Sequence, residues 1–359
     1  MRVPLVEPFR ISSGAVSEKD GIVVALYSEG LVGYGESSPM AGTFYSDDTP
    51  EASWAELSDI VAPAIKGREF AAPEDWNRAL DALPAGAFTK AGVETAFWDL
   101  AAQIANQPLH RLLGGTRDRV ESGLAVGLCE DTTQLLGTIA RYLECGYRRV
   151  KLKIEPGRDV EFVAAARKEF REVPMWVDAN GAYTLQDRKV FHALDDLDLV
   201  MFEQPFPASF LEESAELQRE VQTPVCLDES LDSMDQLKLA IMLGSFRIAN
   251  FKIQRVGGFH HALEMDAICR ENSISAWVGT MPELGIGQAQ GAALASLSNF
   301  VYPTDVEASD RWFCDDIIAP FIRVQRDGCI ELPSSPGIGY AVDEAKIRKY
   351  KIASRSFPA

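Results

Sequence analysis

Apolar positions follow two different rhythms along the chain. Residues 1–40 read as strands. Gly21 to Ser28 (GIVVALYS) and Leu31 to Gly35 flank a Glu29-Gly30 pair, which predicts a hairpin. Pro39 to Pro50 (PMAGTFYSDDTP) is dense in turn formers and aromatics and predicts a loop. From Glu51 to about Asn106 the spacing is helical, and Ala91 to Ile104 is apolar nearly all round, which predicts a buried helix. Strands followed by helices predict a small α+β unit over residues 1–115.

From about Glu121 the rhythm changes to short apolar runs alternating with helical ones. The strand candidates are Ser122–Gly127, Arg149–Ile154, Met175–Asp178, Leu199–Glu203, Pro224–Asp228, Ile248–Lys252, Ser275–Gly279 and Tyr302–Glu307. Helical patterns fill the gaps, among them Val160–Phe170, Leu185–Leu194, Phe210–Arg219 and Asp232–Leu243. Eight such runs predict a parallel β/α barrel, although an open doubly wound sheet has the same local pattern.

Composition narrows the function. The chain has 359 residues, 47% of them hydrophobic and 25% charged, the mix of a globular protein with a large core. Lys plus Arg is 35 against 53 for Asp plus Glu, a net charge of −18. That acidity disfavours nucleic acid and membrane surfaces as partners. No stretch approaches the roughly 20 apolar residues of a membrane span, and Met1 to Pro8 carries no apolar signal core. The six cysteines form no CxxC pair. They read as reduced core thiols, and a cytoplasmic location is expected.

Chemistry recurs at the ends of the strand candidates. Lys153 ends the second, Asp178 the third, Glu203 the fourth, Asp228 the fifth and Lys252 the sixth. The steps are 25, 25, 25 and 24 residues, about one βα unit each. In a barrel these ends ring one mouth, where barrel active sites sit. In an open sheet they would spread along strands about 4.8 Å apart. One acid alone would read as a partner for the next helix dipole. Three at equal steps read as hard oxygen ligands for Mg²⁺ or Mn²⁺ rather than Zn²⁺.

Lys151 and Lys153 lie two apart and share a strand face. Two neighbouring ammonium groups are expected to lower each other's pKa, which makes a lysine a usable base. Lys252 arrives from the opposite arc. A cation between lysines on facing sides suits proton abstraction α to a carboxylate.

At these residues the sequence resembles the enolase superfamily, in its muconate-lactonising-enzyme subgroup. Runs such as GYRRVKLKIEPGRD (146–159), VDANGAYTL (177–185), FEQP (202–205), DES (228–230) and RVGG (255–258) resemble the branch of o-succinylbenzoate synthases and N-acylamino-acid racemases. The resemblance implies a modified TIM barrel, (β/α)7β, over residues 116–318. An N-terminal α+β capping domain over 1–115 would carry substrate-specificity loops, and 319–359 would return to it. Asp178, Glu203 and Asp228 would hold Mg²⁺, with Lys153, Lys252 and Lys151 catalytic and a small carboxylate as substrate. The implied reaction is dehydration of a cyclohexadiene carboxylate in menaquinone synthesis, or racemisation of an N-acyl amino acid on the same two lysines, or another epimerase or cycloisomerase reaction. Arg255 matches an arginine of the branch that includes racemases. A homo-oligomer is expected.

Three departures and several further residues bear on the site. Family members usually have about ten more residues ahead of Pro4-Leu5, so the start is misassigned or the capping sheet lacks a strand. The seventh strand is followed by GTMPELG (279–285), where relatives typically read GGMLETG, so Thr280 and Pro282 alter a pocket wall. Ala125 replaces a frequent serine. Asn180 and Glu229 read as second-layer partners of the cation site or as plain turn and dipole residues. Glu283 would orient Lys252 or substrate. Phe44 and Tyr45 would close over the mouth, and Trp312 would line the pocket or pack in the core. No histidine falls at a strand end, so no histidine base is expected.

Overall fold

The computed structural model describes residues 1–11, 14–42, 46–70 and 73–358. β1 (Arg2–Ile11) pairs antiparallel with β2 (Gly14–Asp20), and β3 (Ile22–Ser28) with β4 (Leu31–Ser37). Glu29 and Gly30 form the turn of the second hairpin, both at positive φ (52° and 78°). That is the turn whose twist matches two right-twisted strands. β1 is ten residues long.

The helix Ala87–Ile104 lies on β4 and buries residues on most of its circumference, as its sequence predicts. Contact is close: a Cβ on Gly35 would stand 2.1 Å from the Gly92 carbonyl oxygen, so no larger residue fits there.

Seven parallel strands follow, in sequential order: Leu124–Val126, Val150–Lys153, Met175–Asp178, Phe202–Glu203, Val225–Leu227, Ile248–Phe251 and Ser275–Val278. Their side chains alternate. Val150, Leu152, Val177, Phe202, Leu227, Ala249 and Phe251 face outward and join the main core with the helices. Trp176, Met201, Cys226, Ile248 and Trp277 face inward and form a separate cluster that fills the barrel. Two residues beyond Trp176, Met201 and Cys226 on that face stand Asp178, Glu203 and Asp228, and Lys252 stands four beyond Ile248.

The eighth expected run, Tyr302–Glu307, is not a regular strand. It nevertheless closes the ring, with backbone bonds on both sides. Gly123 N donates to Thr304 O (2.9 Å) and Thr304 N to Glu121 O (2.8 Å), while Asp305 N donates to Val278 O (2.9 Å). Two features break its ladder: Pro303 has no N–H to give, and the Glu307 carboxylate takes the Ala125 N–H (2.6 Å).

Two capping acids seat the unit on the barrel. Glu36 accepts from Leu284 N (2.8 Å) and Gly287 N (2.9 Å) at the start of the helix Gly285–Leu294. Glu94 accepts from Phe259 N (2.8 Å) and His260 N (2.9 Å) at the start of the helix Phe259–Glu271. Each satisfies donors that a helix leaves unpaired at its N-terminus. Chain beyond residue 318 meets the capping unit too: Ile338 N donates to Asp99 (2.7 Å), and Arg355 pairs with Asp59 (2.9 Å). Among the described residues no helix is long and apolar enough to cross a membrane.

Candidate active site at the barrel mouth

The five strand-end residues gather at one end of the ring, and all are buried or nearly so. On one flank Lys153 donates to Asp178 Oδ2 and to Asn180 Oδ1 (2.7 Å). On the other, Lys252 donates to Asp228 Oδ2 (2.9 Å) and Arg255 to Asp228 Oδ1 (2.6 Å). Between them Glu203 accepts from Asn250 Nδ2 (2.9 Å) and Trp176 Nε1 (3.2 Å), with Lys151 at 3.4 Å. Arg255 also reaches the Asp228 carbonyl (2.8 Å).

These pairings set the electrostatics. Burial alone would raise the Asp178 carboxyl, but Lys153 and Lys151 outweigh it and hold it below its usual range. Arg255 and Lys252 likewise overcome burial at Asp228. Glu203 is pushed well above the usual range by burial and by Asp178, which Lys151 does not offset.

The expectation for the lysine pair needs correction at Lys151. Burial disfavours its charge, yet Asp305, Glu203 and Asp178 together hold the ammonium well above the usual lysine range. Asp305 bridges Lys151 and Arg149 (2.8 Å). Arg149 in turn stacks on Trp176 at 3.9 Å. Lys151 is therefore a fixed cation beneath the site, not a base tuned by its neighbour.

Sequence reasoning missed four of these groups. Arg149 and Asn250 lie two residues before Lys151 and Lys252, on the same strand faces, so period-two alternation would have found them. Asp305 and Glu307 lie two apart at the end of the eighth candidate run, so the same alternation would have found them there too.

The remaining candidates separate. Asn180 donates to Glu229 Oε1 (2.9 Å), which links Lys153 to the fifth-strand end. Arg255 belongs to the site. Glu283 is buried and accepts from Met281 N (3.0 Å), with Lys19 and Lys252 both close enough to act on its charge. Thr280 donates to Asp305 O (3.3 Å) in the wall after the seventh strand. Trp312 packs edge-on to Phe9 of β1, ring centres 5.0 Å apart, at the seam with the capping unit. Phe44 and Tyr45 lie outside the described residues.

The acids converge on ammonium and guanidinium groups rather than on each other. Among the described residues no three acidic, histidine or cysteine side chains form a ready metal cage. Their chemistry still fits a hard cation. The donors are all carboxylate oxygens, Asp178 and Asp228 raise the affinity of Glu203 for positive charge, and Glu229 Oε2 is buried with no hydrogen-bond partner.

Fold and site together define a capped β/α-barrel enzyme with its ionisable groups gathered at the mouth. Residues 1–114 match the description "Mandelate racemase / muconate lactonizing enzyme, N-terminal domain", and residues 134–346 match "Enolase C-terminal domain-like". The chain belongs to the enolase superfamily. It is 38% identical over 358 residues to the o-succinylbenzoate synthase of Geobacillus kaustophilus, which covers 99% of this chain and 95% of that one. It is 36% identical over 339 residues to the N-succinylamino acid racemase of Thermus thermophilus, at 94% and 92% coverage. A solved enolase-superfamily structure from Listeria innocua superposes with a TM-score of 0.92 at 35% identity, covering 97% and 94% of the two chains.

Proposed function

We propose that the protein is a Mg²⁺-dependent o-succinylbenzoate synthase acting on a small cyclohexadiene carboxylate. The observation that carries this reading is the placement of Lys153 and Lys252 on opposite flanks of the three acids, each amine against the acid of the adjoining strand. Asp178, Glu203 and Asp228 would hold Mg²⁺, which supplies positive charge to a substrate carboxylate when its α-proton leaves.

The protein's own groups account for the rest. Lys153 takes the α-proton, and the ammonium so formed then gives its proton to the departing hydroxyl, so that water leaves and the ring becomes aromatic. Lys252 stays cationic on the other face and stabilises the anion. Lys151, tied to Asp305, adds fixed positive charge below. Asn180 and Glu283 position the two amines.

Racemisation of N-succinylamino acids is the second reading, favoured by the racemase relatives. There Lys153 and Lys252 exchange roles as base and acid on opposite faces. Assaying purified protein with both substrate classes tests the pair. Dehydration of the cyclohexadiene carboxylate supports the first reading. Exchange of the α-hydrogen of N-succinylamino acids in D₂O without dehydration supports the second, and neither reaction would overturn both.

A further inference from the structure

Lys19 is a charged residue that the proposed chemistry does not use. It lies on β2 of the capping unit, in a run (Ser17-Glu18-Lys19-Asp20) that reads as a solvated strand edge. Its side chain is instead turned inward and is only 4% exposed as a residue. An ammonium has three N–H donors, and here carbonyl oxygens meet them. Lys19 Nζ donates to Ser38 O (2.9 Å), Met281 O (3.2 Å) and, more weakly, Pro39 O (3.4 Å), with Met40 Sδ at 3.9 Å.

Those carbonyls belong to two segments that face each other at the mouth. Residues 38–40 lead from β4 toward the turn-rich loop. Met281 lies in the loop after the seventh barrel strand, beside Thr280 and Glu283. The joint is reinforced from the sixth-strand side. Gln254, two residues after Lys252, accepts from Ser38 N (3.0 Å) and donates to Glu36 O (2.7 Å). Met40, Phe88 and Met281 pack as a small apolar cluster across the same seam.

A buried ammonium costs several kcal/mol in general unless its partners compensate. Burial pulls Lys19 down to about 8, against the opposing pull of Glu283, Glu36 and Asp20. Methionine would fill the same volume without that cost, so packing alone does not call for a charge. The charge serves the three carbonyls, which have to be held together where three segments meet.

We propose that Lys19 is a positioning residue that clamps the capping segment Ser38–Met40 to the seventh-strand loop at Met281, and so sets the width of the opening through which substrate is bound. It acts through the loop wall and touches no reacting atom. Losing it would free both segments and weaken substrate binding, while Lys153 and Lys252 keep their own carboxylate partners. The proposal rests on the synthase or racemase reading only for the choice of substrate.

The test compares K19M and K19R with the unaltered protein by hydrogen–deuterium exchange and by steady-state kinetics on whichever substrate is turned over. K19M should exchange faster at residues 38–42 and 280–284 and not in the barrel strands. Its KM should rise about tenfold, with kcat changed far less. K19R, which keeps donors for the carbonyls, should restore both toward the starting values. Unchanged exchange and KM in K19M would overturn the proposal, as would equal impairment in K19R and K19M, which signals a packing role. If K19M does not fold, K19Q replaces it, and exchange and KM equal to those of K19R overturn the clamp. Because exchange is read without turnover, a failure of the functional reading leaves this test intact.

Discussion

Lys252 Nζ lies 2.9 Å from Asp228 Oδ2, across one strand step of the barrel, and Lys153 meets Asp178 across the corresponding step on the other flank. The acids of the third, fourth and fifth barrel strands are therefore bracketed by lysines of the second and sixth. An α-carbon held over the acids would have an amine on either face. That bracket allows one set of residues to serve elimination and racemisation alike.

Removing either amine should separate chemistry from folding. Asp178 keeps Lys151 when Lys153 is lost, and Asp228 keeps Arg255 when Lys252 is lost. K153A and K252A should thus retain the far-UV circular dichroism of the parent. Turnover should fall by about 10²–10⁴-fold, the usual contribution of a positioned proton-transfer group. Activity within tenfold of the parent in K153A would contradict both functional readings.

Asp305 should matter for stability as much as for activity. It is buried, and Lys151 and Arg149 overcome burial to hold its carboxyl below the usual range. D305A would leave Arg149 buried inside the barrel without its carboxylate. Breaking a buried pair by removing one partner typically costs about 3–5 kcal/mol. Lys151 retains Glu203 and Asp178, so about 3 kcal/mol is expected here. Urea unfolding of D305A against the parent measures it, and a loss below about 1 kcal/mol would show that the pair does not hold the barrel interior.

The ends of the barrel strands were legible in the sequence because their spacing repeats with the βα unit. The inward face was legible too, from Lys153 to Lys252. What escaped depends on contacts that no local pattern encodes. Tyr302–Glu307 reads as a strand but is broken by Pro303 and by the side chain of Glu307 taking a ladder donor. The charge state of Lys151 is set by Asp305, whose partnership arises only when the ring closes. Lys19 sits in a polar run that gives no sign of the fold turning its ammonium inward. Trp312 is apolar and near the last barrel segment, and only the position of Phe9 shows that it packs against the capping hairpin.

The seam between capping unit and barrel should respond to pH through Glu94. Burial pushes this carboxyl up to about 7, against hydrogen bonds from His260 N, Phe259 N and Trp98 that favour the anion. An ordinary glutamate titrates near 4.3. Between these two values the folded protein holds a proton that the unfolded chain has released. Stability contributed by this group is therefore complete below about 4.3 and declines as pH rises through about 7, by at most about 1.4 kcal/mol per pH unit. E94Q cannot titrate, so denaturant midpoints measured from pH 5 to 7 should show a flatter slope in the variant. Equal slopes would mean that Glu94 is ionised throughout in the folded protein.

Mg²⁺ and the lysines would compete for the same oxygens. Asp178 already carries Lys153 and Lys151, and Asp228 carries Lys252 and Arg255, whereas Glu203 faces the single ammonium of Lys151 together with the neutral donors Asn250 and Trp176. Glu203 is thus the acid with the most unmet demand for positive charge, and burial with Asp178 drives its carboxyl upward accordingly. Three consequences follow, the first two read by calorimetric metal titration and the third by activity. E203Q should weaken Mg²⁺ binding by at least about 10–100-fold, the usual cost of losing even an outer partner of a metal ligand, since it removes a charged ligand outright. K153A should bind at least as tightly as the parent, because a competitor for Asp178 is gone, even though turnover is lost. EDTA should abolish activity in the parent, and Mg²⁺ or Mn²⁺ should restore it better than Zn²⁺, given an all-oxygen donor set. Tight Mg²⁺ binding that survives E203Q unchanged would place the cation elsewhere and remove the basis for the proposed acid trio.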